Sequence, residues 1–340
     1  MVNINKIYKI GYGSGFGGTF ATTSEYTIGH KETINFFCKQ SKGNFIDTSL
    51  SYGNGKSERI IGKLNQKTKK KIFISTKVSA KDLSYKNFIK SVMKSLKNLK
   101  VKKIDLIQPH WPNYKLHNNE IVKAFNYLKK RGKVKYFGLS NYDLKDVEFF
   151  KKKLKDNFKF IQEEYSLRDR GLEKNIKYYE RKNLKIICYS PLGTGGLNFN
   201  EKENKLLSHL SKKYDQSFHS IMLNFLSRMS KNLILIPHTK QIKHLQDNLR
   251  SMEYKIEKND LKKLDLCFKT NYIKLKLKDI IFYDKKYSKM RSLNDAIKNK
   301  GRLNPSPKIL AKKLKEGYKV KHIKLKKIQS KYYIKEGRLR

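Results

Sequence analysis

Residues capable of acid–base chemistry occur near the ends of three consecutive apolar segments. Asp47 and Tyr52 follow the first, Lys77 ends the second and His110 follows the third. A free tyrosine, with a pKa of about 10, is a poor acid at neutral pH. A neighbouring ammonium stabilises the phenolate and lowers that pKa, a carboxylate orients the ammonium, and a histidine can orient a carbonyl. The four together predict a site that protonates a carbonyl oxygen while hydride reaches the carbon. Each alone could equally be a turn, strand-end or packing residue.

The elements that must position these residues alternate between short apolar segments and helical patterns. Eight strand candidates lie at residues 7–11, 44–48, 71–77, 104–109, 134–140, 158–163, 184–190 and 233–237. They are continuously apolar, which is typical of strands covered by helices on both faces. Helix-period segments separate them, including residues 85–99, 118–130 and 143–154, with Asp143 as the N-cap of the last. A further helical segment spans residues 258–268.

Eight strand–helix units over about 250 residues predict an α/β fold, a (β/α)8 TIM barrel. In such a barrel the chemistry lies at the carboxyl ends of the strands, where the four residues occur. A doubly wound sheet is the alternative, but the regular succession of eight strand–helix units favours the barrel.

Longer motifs surround the four residues. They span residues 45–58, 75–78, 106–112, 132–141, 162–167, 189–193 and 236–237. In order and spacing they resemble the aldo-keto reductase family, from residue 5 to about residue 268. The resemblance implies NAD(P)H-dependent reduction of an aldehyde or ketone on a (β/α)8 barrel.

The resemblance also implies a role for each matching residue. Tyr52 would be the general acid, Lys77 and Asp47 its tuning partners, and His110 the residue that orients the carbonyl. Trp111, the only tryptophan, would form a wall of the substrate pocket, with rim packing as the alternative. The cofactor positions are matched by Ser140, Asn141 and Gln162 at the nicotinamide carboxamide, Tyr189 against the nicotinamide ring, Ser190, Leu192 and Thr194 along the pyrophosphate, and His238, Thr239, His244, Asp247 and Asn248 at the adenosine end.

The adenosine end departs from the family pattern. Many members carry Lys or Arg at the positions of His238 and His244, where they pair with the 2′-phosphate of NADP. Histidine is only partly charged at neutral pH, although Lys240 or Lys243 could substitute. NADP is therefore the expected cofactor, with NAD as the alternative. No metal is expected, because the eight histidines show no paired ligand spacing.

The last 70 residues differ from the rest in charge. They carry 23 basic and 5 acidic residues, within a chain of net charge +49. Only 11 of the 78 basic residues are Arg, a lysine bias that drift in composition can also produce. We place a boundary near residue 270, with the barrel at 1–268 and an accessory domain at 269–340.

This basic tail has motifs of its own. Residues 273–280 and 323–334 have strand patterns, and residues 292–300 have a helical one. With residues 296–301, 304–305 and 332–340, the tail resembles the ParB/sulfiredoxin-like fold, either minimal or truncated. The resemblance implies a phosphate site at Gly337, Arg338 and Arg340 that takes a nucleotide or nucleic acid. A basic accessory domain without a ligand is the alternative.

Composition restricts the class of protein. A hydrophobic content of 38% is enough for a core, and no apolar run reaches the roughly 18 residues of a membrane-spanning helix. Three widely separated cysteines and the lack of a signal-peptide pattern predict a cytoplasmic protein. We expect an oxidoreductase acting on a small carbonyl substrate, such as a sugar or a nucleotide-linked sugar. The alternative is a regulatory protein that senses the cofactor's redox state and binds nucleotide or nucleic acid through its tail.

Overall fold

The computed structural model divides the chain into two compact units, Met1–Thr270 and Asn271–Arg340. In the first unit it describes residues 3–15, 30–68, 70–113, 116–193 and 199–268. In the second it describes the backbone of four strands.

Eight parallel strands form the first unit. They are β1 (Tyr12–Gly13), β2 (Phe45–Asp47), β3 (Phe73–Val78), β4 (Ile104–Pro109), β5 (Val134–Ser140), β6 (Phe158–Glu164), β7 (Lys185–Tyr189) and β8 (Leu233–Ile236). Each pairs with the next in chain order. A bridge between Ile10 and Leu235, with the N–H of Gly11 2.8 Å from the Leu235 carbonyl, joins the last strand to the first. This confirms the TIM barrel and excludes the doubly wound sheet.

Helices follow the strands, as a (β/α)8 barrel requires. They are α1 (His30–Lys39), α2 (Lys56–Asn65), α3 (Tyr85–Leu99), α4 (Asn118–Lys130), α5 (Leu144–Leu154), α6 (Glu173–Arg181), α7 (Glu201–Tyr214), α8 (Phe218–Ser227), α9 (Ile242–Arg250) and α10 (Lys258–Cys267). The predicted bounds of α3 and α4 are confirmed. Asp143 caps α5 as expected, since its side chain accepts from the backbone N–H of Asp146 at 3.1 Å.

The first strand was predicted at the wrong place. It was expected at residues 7–11, but the ladder comprises Tyr12–Gly13, with Ile10 in a single bridge. Ile4 and Ile7 pack instead on an apolar cluster inside the barrel. Their hydrophobicity therefore reflects contact with the core rather than strand pairing.

We call that apolar cluster the aromatic floor. Most of its residues lie in the first half of their strands, and Ile236 ends β8. The aromatic floor comprises Phe45, Phe73, Leu106, Phe160, Ile187, Ile234 and Ile236, at 0–4% exposure. Phe45 and Phe73 stack with ring centroids 5.4 Å apart. Polar side chains occupy the carboxyl ends of the same strands, so the barrel interior is apolar at one end and polar at the other.

The second unit contains a four-stranded sheet. Its strands are β9 (Ile280–Asp284), β10 (Lys289–Arg291), β11 (Val320–Ile328) and β12 (Lys331–Leu339), in the order β10-β9-β12-β11. The strand pair expected at residues 323–334 lies within β11 and β12. Gly337 and Arg338 belong to β12, whereas Arg340 and the predicted helix at 292–300 lie outside the described residues. Of the strand expected at 273–280, only Ile280 is described.

Candidate active site

A buried ion pair lies at the carboxyl ends of β2 and β3. The Lys77 ammonium donates to Asp47 Oδ2 and, at 2.9 Å, to the Thr48 carbonyl. Asp47 and Lys77 are 2% and 1% exposed. Burial lowers the pKa of Lys77, and Asp47 only partly offsets this effect. The pair is close to neutral as a unit, and neither charge has water to screen it.

Tyr52 packs between this ion pair and His110. Its ring centroid is 5.3 Å from Lys77 Nζ and 5.5 Å from the His110 ring, which it meets edge-on at 77°. Gly15 lies against it so closely that a Cβ there would be 2.8 Å from Tyr52 Cζ. These contacts fix the position of the phenol.

The expected lowering of the Tyr52 pKa by Lys77 is wrong for this structure. Burial raises the pKa of Tyr52, and the Asp47 carboxylate raises it further. The physical reason is that burial disfavours the charged phenolate, while the Lys77 ammonium is already paired with the Asp47 carboxylate. Tyr52 therefore keeps its proton at neutral pH, as a general acid must.

His110 is held as a neutral imidazole. Burial and the nearby Lys77 ammonium lower its pKa to about 3. Its Nδ1 lies 3.3 Å from Ser49 Oγ and 3.5 Å from Ser51 Oγ, and its carbonyl accepts from Asn141 Nδ2 at 3.1 Å. A neutral, anchored ring can offer a hydrogen bond to a carbonyl oxygen without adding charge. The two serines were not predicted, although they lie only two and four residues after Asp47.

A second polar group lies at the ends of β5, β6 and β7. Asn141 Nδ2 donates to Ser140 Oγ at 3.1 Å, and the Tyr189 hydroxyl donates to Asn141 Oδ1 at 2.8 Å. Gln162 pairs in register with Ser140. Asn141 and Ser190 have positive φ of 66° and 50°, so the chain turns sharply where β5 and β7 end.

This second group fits a nicotinamide ring. A planar carboxamide needs both donors and acceptors, and the hydroxyl of Ser140, the second lone pair of Asn141 Oδ1 and the amide of Gln162 can provide them. Tyr189, half-buried, adds an aromatic face. Ser190 and Leu192 lie in the turn after β7, where the Gly193 N–H reaches the Ser190 carbonyl at 2.9 Å, and Thr194 lies outside the described residues.

A third group surrounds the start of α9. His238 follows β8 and lies 6.3 Å from the Tyr12 ring, centroid to centroid. Thr239 Oγ1 accepts from the Gln241 N–H at 3.0 Å. The first turn of α9 contains His244 and no acidic residue, so its free N–H groups suit a phosphate.

Of the residues expected to bind adenosine, one accepts a hydrogen bond from another helix and one is buried. The Asp247 carboxylate accepts from the hydroxyl of Ser217, the N-cap of α8, and Asn248 is only 2% exposed. His219 of α8, not predicted from the sequence, stacks on His244 at 6.4 Å between ring centroids. Both histidines of this set, His238 and His244, therefore have an aromatic neighbour.

Sequence reasoning missed two buried polar residues beside the ion pair. Ser75 and Gln108, both 0% exposed, hydrogen-bond within the barrel. The sequence contained a signal, since each is a polar residue within a strand expected to be covered on both faces. Trp111 is half-buried beside His110, in the position expected for either of its two interpretations.

Comparison with known proteins identifies the class to which this barrel and its polar set belong. A thermostable aldo-keto reductase, solved with the inhibitor epalrestat, shares 27% identity at a TM-score of 0.70, over 77% of this chain and 95% of its own. An uncharacterized oxidoreductase of Schizosaccharomyces pombe is 29% identical over 65% of this chain and 74% of its own length. The glyoxal reductase of Bacillus subtilis is 25% identical over 65% and 77%.

The sequence profile of the Aldo/keto reductase family matches residues 9–269. The chain belongs to this family, and it is an oxidoreductase. The match stops where the second unit begins, so the ParB/sulfiredoxin-like resemblance of the tail stays a prediction. Among the described residues, no helix is long and apolar enough to cross a membrane, and no cluster of His, Cys, Asp and Glu could hold a metal.

Proposed function

We propose that this protein reduces a small aldehyde or ketone, with NADPH as the hydride donor and Tyr52 as the general acid. The observation that carries the proposal is the packing of Tyr52 between the Asp47–Lys77 ion pair and a neutral His110. The relative named glyoxal reductase supports a small carbonyl substrate. A sugar or a nucleotide-linked sugar is the finer substrate class expected from the sequence.

Each residue of the site has its own role in the proposed reaction. Tyr52 delivers its phenolic proton to the carbonyl oxygen, and His110 orients that oxygen through a neutral hydrogen bond. The Lys77 ammonium stabilises the tyrosinate as it forms, and Asp47 holds the ammonium in place. The bound nicotinamide supplies the hydride to the carbonyl carbon.

We propose that the cofactor lies along the ends of β5 to β8. Ser140, Asn141 and Gln162 would hold the carboxamide, and Tyr189 would stack on the ring. NADPH is favoured over NADH because the start of α9 presents the positive end of its helix dipole, with no carboxylate in the first turn. Lys240 lies just before that turn and Lys243 lies within it.

The tail has a separate proposal, carried over from its sequence. Gly337, Arg338 and Arg340 would contact the phosphate of a nucleotide or nucleic acid. The regulatory role expected as the alternative function depends on this site, and no described side chain supports it.

Tyr52→Phe tests the proposed function. Removing the phenolic proton should lower the turnover of a small dicarbonyl such as methylglyoxal by about 10²- to 10⁴-fold. NADPH affinity, followed by quenching of Trp111 fluorescence, should stay unchanged. Tyr127→Phe, at a half-exposed tyrosine of α4, is the matched control and should keep full turnover. Equal turnover in Tyr52→Phe and wild type would disprove the role of Tyr52.

A further inference from the structure

Four buried side chains form a closed ring of hydrogen bonds inside the barrel. Ser75 Oγ donates to Asp47 Oδ1 at 2.9 Å, and Gln162 Nε2 donates to Asp47 Oδ2 at 3.2 Å. Gln108 Nε2 closes the ring, since it donates to Ser75 Oγ at 3.1 Å and to Gln162 Oε1 at 2.8 Å. The four residues come from β2, β3, β4 and β6, and none is more than 2% exposed.

The direction of every hydrogen bond in this ring follows from Asp47. A carboxylate accepts only, so Gln162 must turn its NH₂ group toward it. The oxygen of Gln162 then faces Gln108, which must also present its NH₂ group. The hydroxyl proton of Ser75 is used on Asp47, so its oxygen accepts the second N–H of Gln108. The negative charge thus orients two amides and a hydroxyl.

Gln108 has an unsatisfied atom as a result. Its Oε1 is buried without a hydrogen-bond partner. It faces Gly138, where an added Cβ would lie 3.1 Å from it. Rotating the Gln108 amide by half a turn would not give Oε1 a donor, because Oε1 would then face the oxygen of Gln162. A buried orphan carbonyl is unfavourable, so the ring holds Gln108 for its two donors despite a cost in stability.

The ring connects the two parts of the proposed site. Asp47 belongs to the ion pair that supports Tyr52, and Gln162 belongs to the group proposed to hold the nicotinamide carboxamide. Gln162 uses one N–H on Asp47 and one lone pair on Gln108. Its second N–H and second lone pair are left for another amide, at an angle fixed by the ring.

We infer that Gln108 and Ser75 are positioning residues, which hold the Gln162 amide in the one orientation that suits both Asp47 and the nicotinamide carboxamide. This inference rests on the proposed function. Neither residue touches the reacting atoms. They act by linking the orientation of the cofactor-binding amide to the charge of Asp47.

Gln108→Met and Gln108→Glu test the inference. Met has the same length and removes both donors along with the orphan carbonyl. We expect the Kd of NADPH, measured by Trp111 fluorescence, to rise about 5- to 10-fold, with a similar fall in kcat/KM. We expect the melting temperature to stay within about 3 °C, because Met removes one orphan carbonyl and leaves the Gln162 oxygen as another.

Gln108→Glu separates positioning from packing. Its carboxylate would oppose the oxygen of Gln162 and repel Asp47, so the loss at alkaline pH should exceed that of Gln108→Met. On protonation Glu regains one donor, so its kcat/KM should recover as the pH falls from about 8.5 to about 6. Gln108→Met should show no such recovery. Ser75→Ala should resemble a milder Gln108→Met, because it removes one donor to Asp47.

Leu106→Met, two residues earlier on β4 in the aromatic floor, is the matched control and should keep wild-type kinetics. Wild-type kinetics in both Gln108 variants would overturn the inference. So would equal losses in both that follow a loss of thermal stability, since these would indicate packing alone. The proposed function fails separately, if the wild-type protein does not reduce a carbonyl or does not need Tyr52.

Discussion

Tyr52, Lys77, Asp47 and His110 act at the residue scale through the balance of their charges. Burial is the main cause of the pKa shifts of both Tyr52 and His110, and Asp47 adds to the first shift and Lys77 to the second. The phenol of Tyr52 keeps its proton, and the imidazole of His110 is neutral. The type and order of the four residues could be read from the sequence. The direction of the Tyr52 pKa shift could not, because it depends mainly on how the fold buries the phenol.

The pH dependence of the reaction follows from these shifts. The raised pKa of Tyr52 lies above neutral pH, and the pKa of His110, at about 3, lies far below it. Neither group changes charge in between. We expect kcat/KM for carbonyl reduction to be flat from about pH 6 to about pH 9, and alcohol oxidation, which needs the tyrosinate, to rise with pH. A fall in reduction with an apparent pKa inside that window would contradict this assignment.

Breaking the ion pair should destabilise the fold more than removing it. Lys77→Met leaves the Asp47 carboxylate buried without its cation, which should cost about 3–5 kcal/mol in the free energy of unfolding. In the double variant Asp47→Asn with Lys77→Met the charge is gone, and much of this loss should be recovered. Turnover should stay low in both. Urea denaturation measures the difference, and equal stabilities of the single and double variants would argue against an uncompensated charge.

At the scale of elements, the strands that could be predicted are those whose apolar residues all face packed neighbours. The bounds of β4 and β5 were expected from continuous hydrophobicity, whereas β1 was misplaced because Ile4 and Ile7 serve the aromatic floor. The hydrogen-bonded ring could not be predicted. Spacing along the chain does not show that Ser75, Gln108 and Gln162 meet inside the barrel.

Helix α3 carries charge that the fold does not neutralise. Lys86, Lys90 and Lys94 are exposed and follow one another at intervals of four residues, and α3 contains no acidic residue. Within the described part of the chain, none of the three has an ion-pair partner. Like charges at this spacing destabilise a helix.

Lys90→Glu should therefore stabilise the protein. It replaces two repulsive pairs by two attractive ones, a gain of about 1 kcal/mol at low salt. Lys205→Glu on α7 is the matched control, because it breaks the exposed pair of Lys205 with Glu201, 2.7 Å apart, and should destabilise. Thermal unfolding at low and high salt measures both, and the gain should shrink in high salt. An unchanged or lower melting temperature for Lys90→Glu would contradict this view.

At the scale of the whole molecule, the net charge of +49 acts on any anion that approaches. The fold and the family could be recognised from the motifs of residues 5–268, but a charge total does not show where an anion binds. The described barrel suggests one place, the start of α9 beside His244.

Association of the cofactor should consequently depend on salt. NADPH carries the additional charge of its 2′-phosphate, so its association rate should fall more steeply with ionic strength than that of NADH. Stopped-flow quenching of Trp111 fluorescence measures both rates. His244→Gln should reduce the difference between the cofactors, whereas His209→Gln, on α7, should not. Identical salt slopes for NADPH and NADH would rule out recognition of the additional phosphate.

The aromatic floor also limits how the site is resupplied with protons. Its residues are 0–4% exposed and close the barrel interior below Asp47 and Lys77. In the proposed reaction each turnover would consume the phenolic proton of Tyr52, and a replacement would come from solvent through the opening that admits the substrate. A product that covers that opening delays reprotonation until it leaves. We therefore expect the product to leave before Tyr52 is reprotonated. The slower of these two steps should limit the turnover rate for bulky substrates.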